Sequence, residues 1–597
     1  MSAYGTERLF LNVERSLGGR RWVHALDPRS EALATQMSQA HGLPDIVSRV
    51  LAARGIAPGD AERFLTPTIR DLMPDPSTLT DMDMAAARIA DAIARKERIA
   101  IFGDYDVDGA ASAALLHRYL RRLGIEAPIR IPDRLTEGYG PNPAALSALA
   151  DAGASLIVTV DCGTTSPEAI AAVAGRADVV VLDHHQTGAE LPPALAVVNP
   201  NRQDDLSGLG HLCAAGVVFM TLVCVSRVLR TRGASNLPDL MDELDLVALA
   251  TVCDVVPLVG LNRAFVVRGM AAMRAQRNVG LAALARAARL SGPISSHHLG
   301  FLLGPRINAG GRIGDPALGS RLLTVGDIDE ADQIAGQLHL LNEERQTMER
   351  AMLDQAELEV LGEQGDGPGP SVLVTARENW HPGIVGLVAA RLKERFNRPA
   401  IAIAFDAGGK GSGSARSIAG FNIGGLVREA VLAGILEKGG GHAMAAGLTI
   451  RRERLGELRR FVEEAASDKV EALRDADGLR LDGAISARGL TLELAETLRR
   501  AGPYGAGHAQ PVFAMPRHRV QNAQLFGAGG HIRVRLAAAD GAAVSAVAFR
   551  AGGTPLAERL LAGGDRPLHL AGSVTLDHFQ GRAQAAFRIV DAAETVE

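Results

Sequence analysis

The sequence predicts an α/β protein. A parallel-sheet domain comes first, a smaller αβ domain is joined to it by a long helix, and a small β-barrel lies at the C-terminal end. Three observations carry this expectation. From about residue 85 to 200, short apolar runs alternate with helical patterns, as strands and crossover helices do in parallel sheets. A helical pattern runs without interruption through residues 326–361 and ends in the Gly/Pro-rich GEQGDGPGP (362–370). After residue 511 the pattern changes to short alternating runs such as HIRVRLA, AVSAVAF and QAAFRIV, which fit a small barrel.

The 597 residues suffice for several domains, and an apolar fraction of 47% with 22% charged residues excludes a mainly disordered chain. The net charge of −5 argues mildly against a nucleic-acid partner. It does not exclude one, because a basic groove can coexist with acidic outer faces. The four cysteines, Cys162, Cys213, Cys224 and Cys253, form no CxxC pair and fit a reducing, cytoplasmic setting. The first residues lack the basic flank and apolar core of a signal peptide, and no run of 18 uncharged apolar residues predicts a membrane span.

Taken in order, residues 1–80 read as an N-terminal extension of helices and turns punctuated by Pro67, Pro74 and Pro76. Residues 81–325 form the first αβ domain. Its helix 84–96 precedes the run Arg98–Phe102, the loop GDYDVDG and the helix Ala110–Leu123. Further strands are expected at 155–160, 178–182 and 196–199. Residues 326–362 are the connector helix, 363–455 the second αβ domain, 456–510 a helical segment and 511–597 the barrel. The barrel region holds nine arginines against seven acids, so it is basic within an acidic chain.

Chemistry gathers where the predicted strands end. Asp104, Asp106 and Asp108 stand at i, i+2 and i+4, which in extended backbone share one face. Three carboxylates on one face repel each other unless cations sit among them. The other reading is a turn rich in helix-capping acids, with Asp108 as the cap. Asp161 in TVDCGTTS follows the next strand, and it too reads either as a site residue or as a cap. Asp183-His184-His185 follows the third strand, where two adjacent histidines could serve two metals, or one metal and a phosphate. Asp254 ends the apolar LDLVALATVC run, where a buried carboxylate needs a partner or a metal.

DYDVDG, VDCG, DHH and an apolar helix ending in Asp, in that order, resemble the DHH phosphoesterase superfamily. Further segments are similar to its RecJ family of single-strand-specific 5′→3′ DNA exonucleases: IPDRLTEGYG (131–140), GPRINAGGRIGD (304–315), ENWHPGIVGLVAARL (378–392), GGGHAMAAG (439–447) and GPYGAGHAQPVF (502–513). One departure is AGHAQP, where that family more often carries Asn before an acid-Pro step; the departure is expected to touch only a surface turn.

The resemblance implies a DHH domain, a DHH-associated domain and a barrel of the oligonucleotide-binding (OB) type. It implies that Asp104, Asp106, Asp108, Asp161, His184, His185 and Asp254 surround two divalent ions, Mn²⁺ or Mg²⁺, with Asp161 bridging and Asp183 orienting a histidine. One ion would activate water and the other would bind the phosphate and the leaving 3′ oxygen. Substrate contacts are expected from Arg134, Arg306, Asn308 and Arg312. Ser414, Arg416 and Ser417 are expected in a Gly-rich loop suited to phosphate, and Gly440, Gly441 and His442 at a close backbone approach. Each of these arginines reads equally as a structural ion pair, GGGH as a plain tight turn, and His381 as a substrate group or a helix-start residue. In the barrel, Phe526, Phe549, Phe579 and Phe587 are available for base stacking.

The implied activity is degradation of single-stranded DNA to 5′-mononucleotides in repair and recombination. The implied partners are single-stranded DNA, single-strand-binding protein and a RecQ-type helicase, with no membrane and a monomeric chain. Two alternatives stand beside this reading. One is another phosphodiesterase of the superfamily, of the nano-RNase or cyclic-dinucleotide type, although such relatives usually lack the barrel. The other is a non-catalytic relative that only binds single strands, although such proteins lose metal ligands.

Overall fold

A computed structural model describes residues 8–134, 136–290, 292–364, 369–475, 478–527, 529–579 and 582–595. The chain divides into two compact units, one formed by Met73–Val256 with Arg268–Ala476 and the other by the remaining segments.

The larger unit begins with a five-stranded sheet in the order Ile129–Arg130, Ile99–Gly103, Leu156–Val160, Asp178–Leu182, Ala196–Val198, parallel throughout. The strands Ile99–Gly103 and Leu156–Val160 are buried at every residue, which is why they read as unbroken apolar runs rather than alternating ones. Register aligns Gly103 with Val160, Val160 with Leu182 and Leu182 with Val198. The residues that follow, Asp104, Asp161 and Asp183, therefore leave the sheet side by side. The helix Ala214–Thr231 packs in this domain. It is long and apolar enough to cross a membrane, but 72% of it is buried in the protein, so its apolarity is that of a core helix.

The helix after GDYDVDG starts earlier than its apolar pattern suggests, at Val107, and runs to Arg122. Its cap is Asp106, not Asp108: the Asp106 carboxylate accepts the Asp108 amide (2.8 Å) and the Gly109 amide (3.1 Å). The three aspartates therefore do not share one extended face. Asp104 leaves the strand, Asp106 caps, and Asp108 lies in the first helical turn.

The helix Ile328–Gln364 leads to a second five-stranded sheet, ordered Lys438–Gly441, Ala445–Arg451, Lys410–Arg416, Ala400–Phe405, Leu373–Arg377. Only the last two strands pair in parallel. Lys410–Arg416, expected as a loop, is a strand inside this sheet. Its glycines serve packing: a Cβ on Gly411 would lie 2.6 Å from the Phe405 ring, and one on Gly413 2.6 Å from Leu448. The segment read as one helical stretch, 456–510, is split. The helix Leu455–Asp475 packs Leu458, Val462, Ala466 and Val470 onto the second sheet, while Leu492–Ala501 belongs to the smaller unit.

In the smaller unit, the strands Phe513–Phe526, His531–Ala537, Ala543–Ala548, Arg582–Glu594 and Gly564–Phe579 close into a barrel through the pairing of the first with the last. Helices Pro28–His41 and Asp45–Ala53 share its core through Met37, Val47, Val50 and Leu51. The segment Pro257–Val267 also belongs here. Its buried Arg263 donates to the Phe64 carbonyl (3.1 Å) and to Gly502, and lies 3.9 Å over the Phe64 ring. The turn carrying the AGHAQP departure is not a surface feature at His508. That ring is 2% exposed, stacks on Tyr504 at 5.0 Å and meets the Ala501 carbonyl at 2.9 Å.

The N-terminal segment is tied to the barrel by one buried carboxylate. Asp591 accepts from Ser16 Oγ (2.7 Å), the Gly18 amide (3.0 Å) and Trp22 Nε1 (3.1 Å). Asp591→Ala strands two buried donors and is expected to cost about 3 kcal/mol. Urea unfolding followed by Trp22 fluorescence checks this, and an unchanged midpoint would contradict it.

Candidate metal centre

The residues singled out in the sequence converge at the carboxyl edge of the first sheet. Three overlapping groups each place one ligand atom per residue within 4.8 Å of the others: Asp161, His184 and His185; Asp108, His184 and Asp254; Asp104, Asp106 and Asp161. All seven candidates of the metal set are included.

Local structure explains each placement. Gly109 lets the helix approach the strand end, since a Cβ there would lie 2.4 Å from the Asp104 carbonyl oxygen. Asp108 is fully buried at the N-terminus of the helix Ala214–Thr231. Its carboxylate accepts the amides of Ala214 (2.6 Å) and Ala215 (2.9 Å), where the helix dipole favours negative charge. Asp161 adopts a left-handed backbone, φ 61°, while its amide still donates to the Leu182 carbonyl at 3.0 Å. Asp254 lies at the C-terminal end of the helix Leu244–Cys253.

The two histidines are held differently. Asp183, buried, accepts the amides of His184 (2.7 Å), His185 (3.2 Å) and Thr164 (3.1 Å), and its Oδ1 lies 2.8 Å from His185 Nδ1. Asn199 donates to the His185 carbonyl at 2.9 Å and Asn201 to the His184 carbonyl at 2.5 Å. His184 Nε2 faces the acids, 3.3 Å from Asp161, 3.5 Å from Asp254 and 3.7 Å from Asp108. Sequence reasoning missed Asn199, Asn201 and Tyr139. The Tyr139 hydroxyl donates to the Asp161 carbonyl (3.3 Å) and lies 3.1 Å from His185 Nδ1. The signal for Asn199 was its place directly after the fourth apolar run.

Electrostatics marks the cluster as unbalanced by protein alone. Burial, followed by the neighbouring acids, pushes the carboxyls of Asp104 and Asp161 well above the usual range and that of Asp254 up to about 9. Burial opposes the charge of Asp183 as well, but His185, His184 and Thr164 outweigh it and hold that carboxyl low. Burial lowers His184; it also opposes the charge of His185, but the Asp183 bond and the charges of Asp183, Asp106 and Asp104 together outweigh it and raise that ring. Asp104 Oδ1, Asp161 Oδ1 and His184 Nε2 are buried without a hydrogen-bond partner. Carboxylate and imidazole atoms left in this state suit a divalent cation.

A second cluster is cationic. Arg134 lies 5.2 Å from the Tyr105 ring, beside the acids. Burial and the charges of Arg134, Arg345 and Arg416 push the half-buried Arg312 down to about 10. Burial and Arg134 lower Arg416 in turn. Arg416 and Ser414 face the first turn of the helix Val385–Phe396, where a Cβ on Gly386 would meet their side chains at 3.0 and 3.3 Å. The remaining candidates lie elsewhere. Arg306 donates to the Leu302 carbonyl in the turn before its helix (2.7 Å) and lies near the charges of Glu343 and Arg345. Asn308 is half-buried on the same helix. Ser417 is buried and donates to the Phe421 carbonyl at 2.7 Å, so its hydroxyl is not available to a substrate. Gly440 and Gly441 form an edge strand, followed by the exposed His442. His381 accepts the Gly383 amide at 3.1 Å, and Arg312 donates to the Gly383 carbonyl at 3.0 Å.

On the barrel, Phe587 is core, while Phe549 is 46% exposed. Arg533 lies 5.0 Å over the half-buried Phe526, Arg588 lies 4.6 Å over Phe549, and His531 packs between the two rings. The Phe579 side chain lies outside the described residues.

This fold and this edge of acids and histidines define the class. Residues 98–251 match the N-terminal domain of the DHH family, 369–468 the DHHA1 domain and 481–591 the RecJ OB domain. The chain is 37% identical to the single-stranded-DNA-specific exonuclease RecJ of Dickeya dadantii, over 79% of this chain and 83% of that protein. It is 33% identical to the RecJ of Salmonella typhimurium, over 92% and 96%. It belongs to the RecJ family. The crystal structure of RecJ in complex with Mn²⁺ from Thermus thermophilus matches with a TM-score of 0.77 at 29% identity, covering 96% of this chain and 79% of that one. The Mg²⁺ complex from the same organism matches at 0.72 and 28%, covering 96% and 78%.

The raised carboxyls fix a pH dependence. A group whose pKa is higher in the folded state stabilises the protein below its unfolded value, and that contribution is lost as pH rises through the folded value. With metal chelated, the melting temperature is therefore expected to fall as pH rises from about 7 to about 9, above the ordinary carboxylate range. Asp254→Asn should flatten the slope. Calorimetry in EDTA across this window checks it, and a rising melting temperature would contradict it.

Proposed function

We propose that this protein is a divalent-metal-dependent exonuclease that degrades single-stranded DNA from the 5′ end and releases 5′-mononucleotides. The observation that carries this reading is the interlocking of five aspartates and two histidines, from four separate segments, around shared ligand positions. Asp104, Asp106, Asp108, Asp161, His184, His185 and Asp254 would hold two divalent ions, Mn²⁺ or Mg²⁺, as the relatives' structures with these ions suggest. Such ions supply a water of lowered pKa and charge neutralisation at phosphate.

The protein's own groups do the rest. Asp183 fixes the orientation and tautomer of His185 through Nδ1, leaving Nε2, 3.2 Å from the Tyr139 hydroxyl, as the ring nitrogen that would face a metal. No nucleophilic side chain is needed, and the nearby Cys162 and Cys213 are buried with thiols raised by burial. Arg134, Arg312 and Arg416, with Ser414, would grip the terminal phosphate. Burial and then the neighbouring guanidiniums lower Arg312 and Arg416, so an anion among them is favourably placed. This pocket on the 5′ side sets the polarity of digestion. The aromatic and arginine cluster on the barrel would hold the strand further along. A cytoplasmic location accords with the four free cysteines. Single-strand-binding protein and a RecQ-type helicase are the proposed partners of a monomeric enzyme.

Asp161→Ala is expected to abolish hydrolysis of a labelled single strand. In EDTA it should not lower the melting temperature, because it removes a carboxylate repelled by its neighbours. Addition of Mn²⁺ should raise the melting temperature of the wild type, as any ligand specific for the folded state does. Near-normal hydrolysis by the variant would contradict the assignment.

Arg416→Ala should weaken binding of 5′-phosphorylated strands by about 1.5–3 kcal/mol, the worth of a charge-assisted bond, and cost less on 5′-hydroxyl strands. Equal losses in a direct binding titration would place the phosphate elsewhere. Preferential shortening from the 3′ end by the wild type would overturn the polarity.

A further inference from the structure

An apolar surface flanks the charged site on the side of Asp254. Val255, the next residue, is 69% exposed and has φ 61°, a conformation β-branched residues rarely adopt. The residues before Asp254 are covered by the turn Leu299–Leu303, which is wound as a π-helix, a rare form often found at functional sites. Its inner side is glycine at both contacts. A Cβ on Gly300 would lie 3.4 Å from Val252, and one on Gly304 2.5 Å from the Cys253 sulfur. The Cys253 thiol donates to the Leu299 carbonyl at 3.4 Å. The outer side carries Phe301, 65% exposed, with its ring stacked on His297 at 4.8 Å between centroids and 26° between planes.

We propose that the Phe301–His297 stack is a platform for the unpaired bases of the bound strand. Its neighbours define what it would receive. On one side is the carboxylate site through Val252 and Cys253. On the other, the turn runs directly into the helix Gly304–Ile313, which carries Arg312 of the proposed phosphate pocket. A chain that places phosphates on these groups carries a base at every step. A flat aromatic face stacks with any base, so the platform needs no sequence preference. It reads what the arginines cannot, the presence of an exposed base face, which a duplex hides within its own stack. The stack on His297 holds the Phe301 ring in one orientation before a base arrives.

The inference rests on the exonuclease reading, and the test separates the two. Wild type, Phe301→Ala and Phe301→Tyr are assayed with Mn²⁺ on a 5′-phosphorylated strand, either intact or with one abasic residue walked along it from the 5′ end. Base–aromatic stacking predicts that Phe301→Ala raises KM about 5- to 100-fold on the intact strand, with Phe301→Tyr close to wild type. At one position the abasic residue should impose a similar loss on the wild type and add little to Phe301→Ala, because both remove the same contact. A strand carrying 2-aminopurine at that position should change fluorescence on binding wild type but not Phe301→Ala. If the wild type digests the strand and Phe301→Ala matches it, the platform is overturned. It is equally overturned if the loss is the same with and without the base at every position, which would leave the patch as a protein-docking surface. A wild type that digests no strand would instead bring down the exonuclease reading.

Discussion

Like charge held in a small buried volume is the constraint on which the rest of the larger unit depends. Two carboxylates about 4 Å apart repel by roughly 4 kcal/mol at the effective dielectric of a protein interior, and here five are gathered around two imidazoles. The protein answers part of this repulsion itself. The helix at Ala214 gives two amides to Asp108, and the helix at Val107 gives two to Asp106. Asp183 is satisfied by three amides and a ring nitrogen. What remains unanswered is confined to Asp104, Asp161, Asp254 and the inner nitrogen of His184. The parallel register of the sheet makes this possible, because it brings three strand ends into one row without any loop having to fold back.

The cationic cluster obeys the same logic with the sign reversed. Burial and neighbouring guanidiniums, rather than acid partners, set the environment of Arg312 and Arg416: Arg134, Arg345 and Arg416 act on the first and Arg134 on the second. Other buried arginines of this unit behave differently: Arg118 is paired with Glu243, and Arg202 with Asp81 and Asp204. Cations and anions that, among the described residues, lack partners of opposite charge within one unit would suit a ligand that carries negative phosphates and is processed by positive ions.

Much of this was legible because chemistry and topology coincide at strand ends. Apolar runs stopping at Asp104, Asp161 and Asp183 announced both the sheet and the site, and Asp254 was visible as an acid closing an apolar helix. The failures have physical causes. The pattern of i, i+2 and i+4 acids suggested one extended face, but a capping side chain outcompeted the strand at Asp106. The glycines of 408–417 looked like a loop because composition does not distinguish glycine chosen for flexibility from glycine forced by Phe405 and Leu448. Ser417 looked like the nearby Ser414, yet it lies just past the end of the strand, where its hydroxyl is turned inward to the Phe421 carbonyl. The excursion of Pro257–Val267 into the barrel unit, and Arg263 with it, left no local signal, since it depends on partners more than two hundred residues away.

Asp161 gathers these constraints in one residue. Its left-handed backbone costs about 1–2 kcal/mol for a side chain with a Cβ. Its carboxylate is 2% exposed, so it has lost most of its hydration, and four other aspartates push its pKa further up. Its Oδ1 has no hydrogen-bond partner, although His184 lies 3.3 Å away. Glycine would remove the strain, and asparagine would remove the charge while tolerating the same backbone. Folding alone therefore gives no reason for an aspartate here. The geometry becomes economical only when something positive occupies the space it faces. Asp161 belongs to two of the three ligand groups at once, so a residue with a left-handed backbone is also one through which two cations would be coupled.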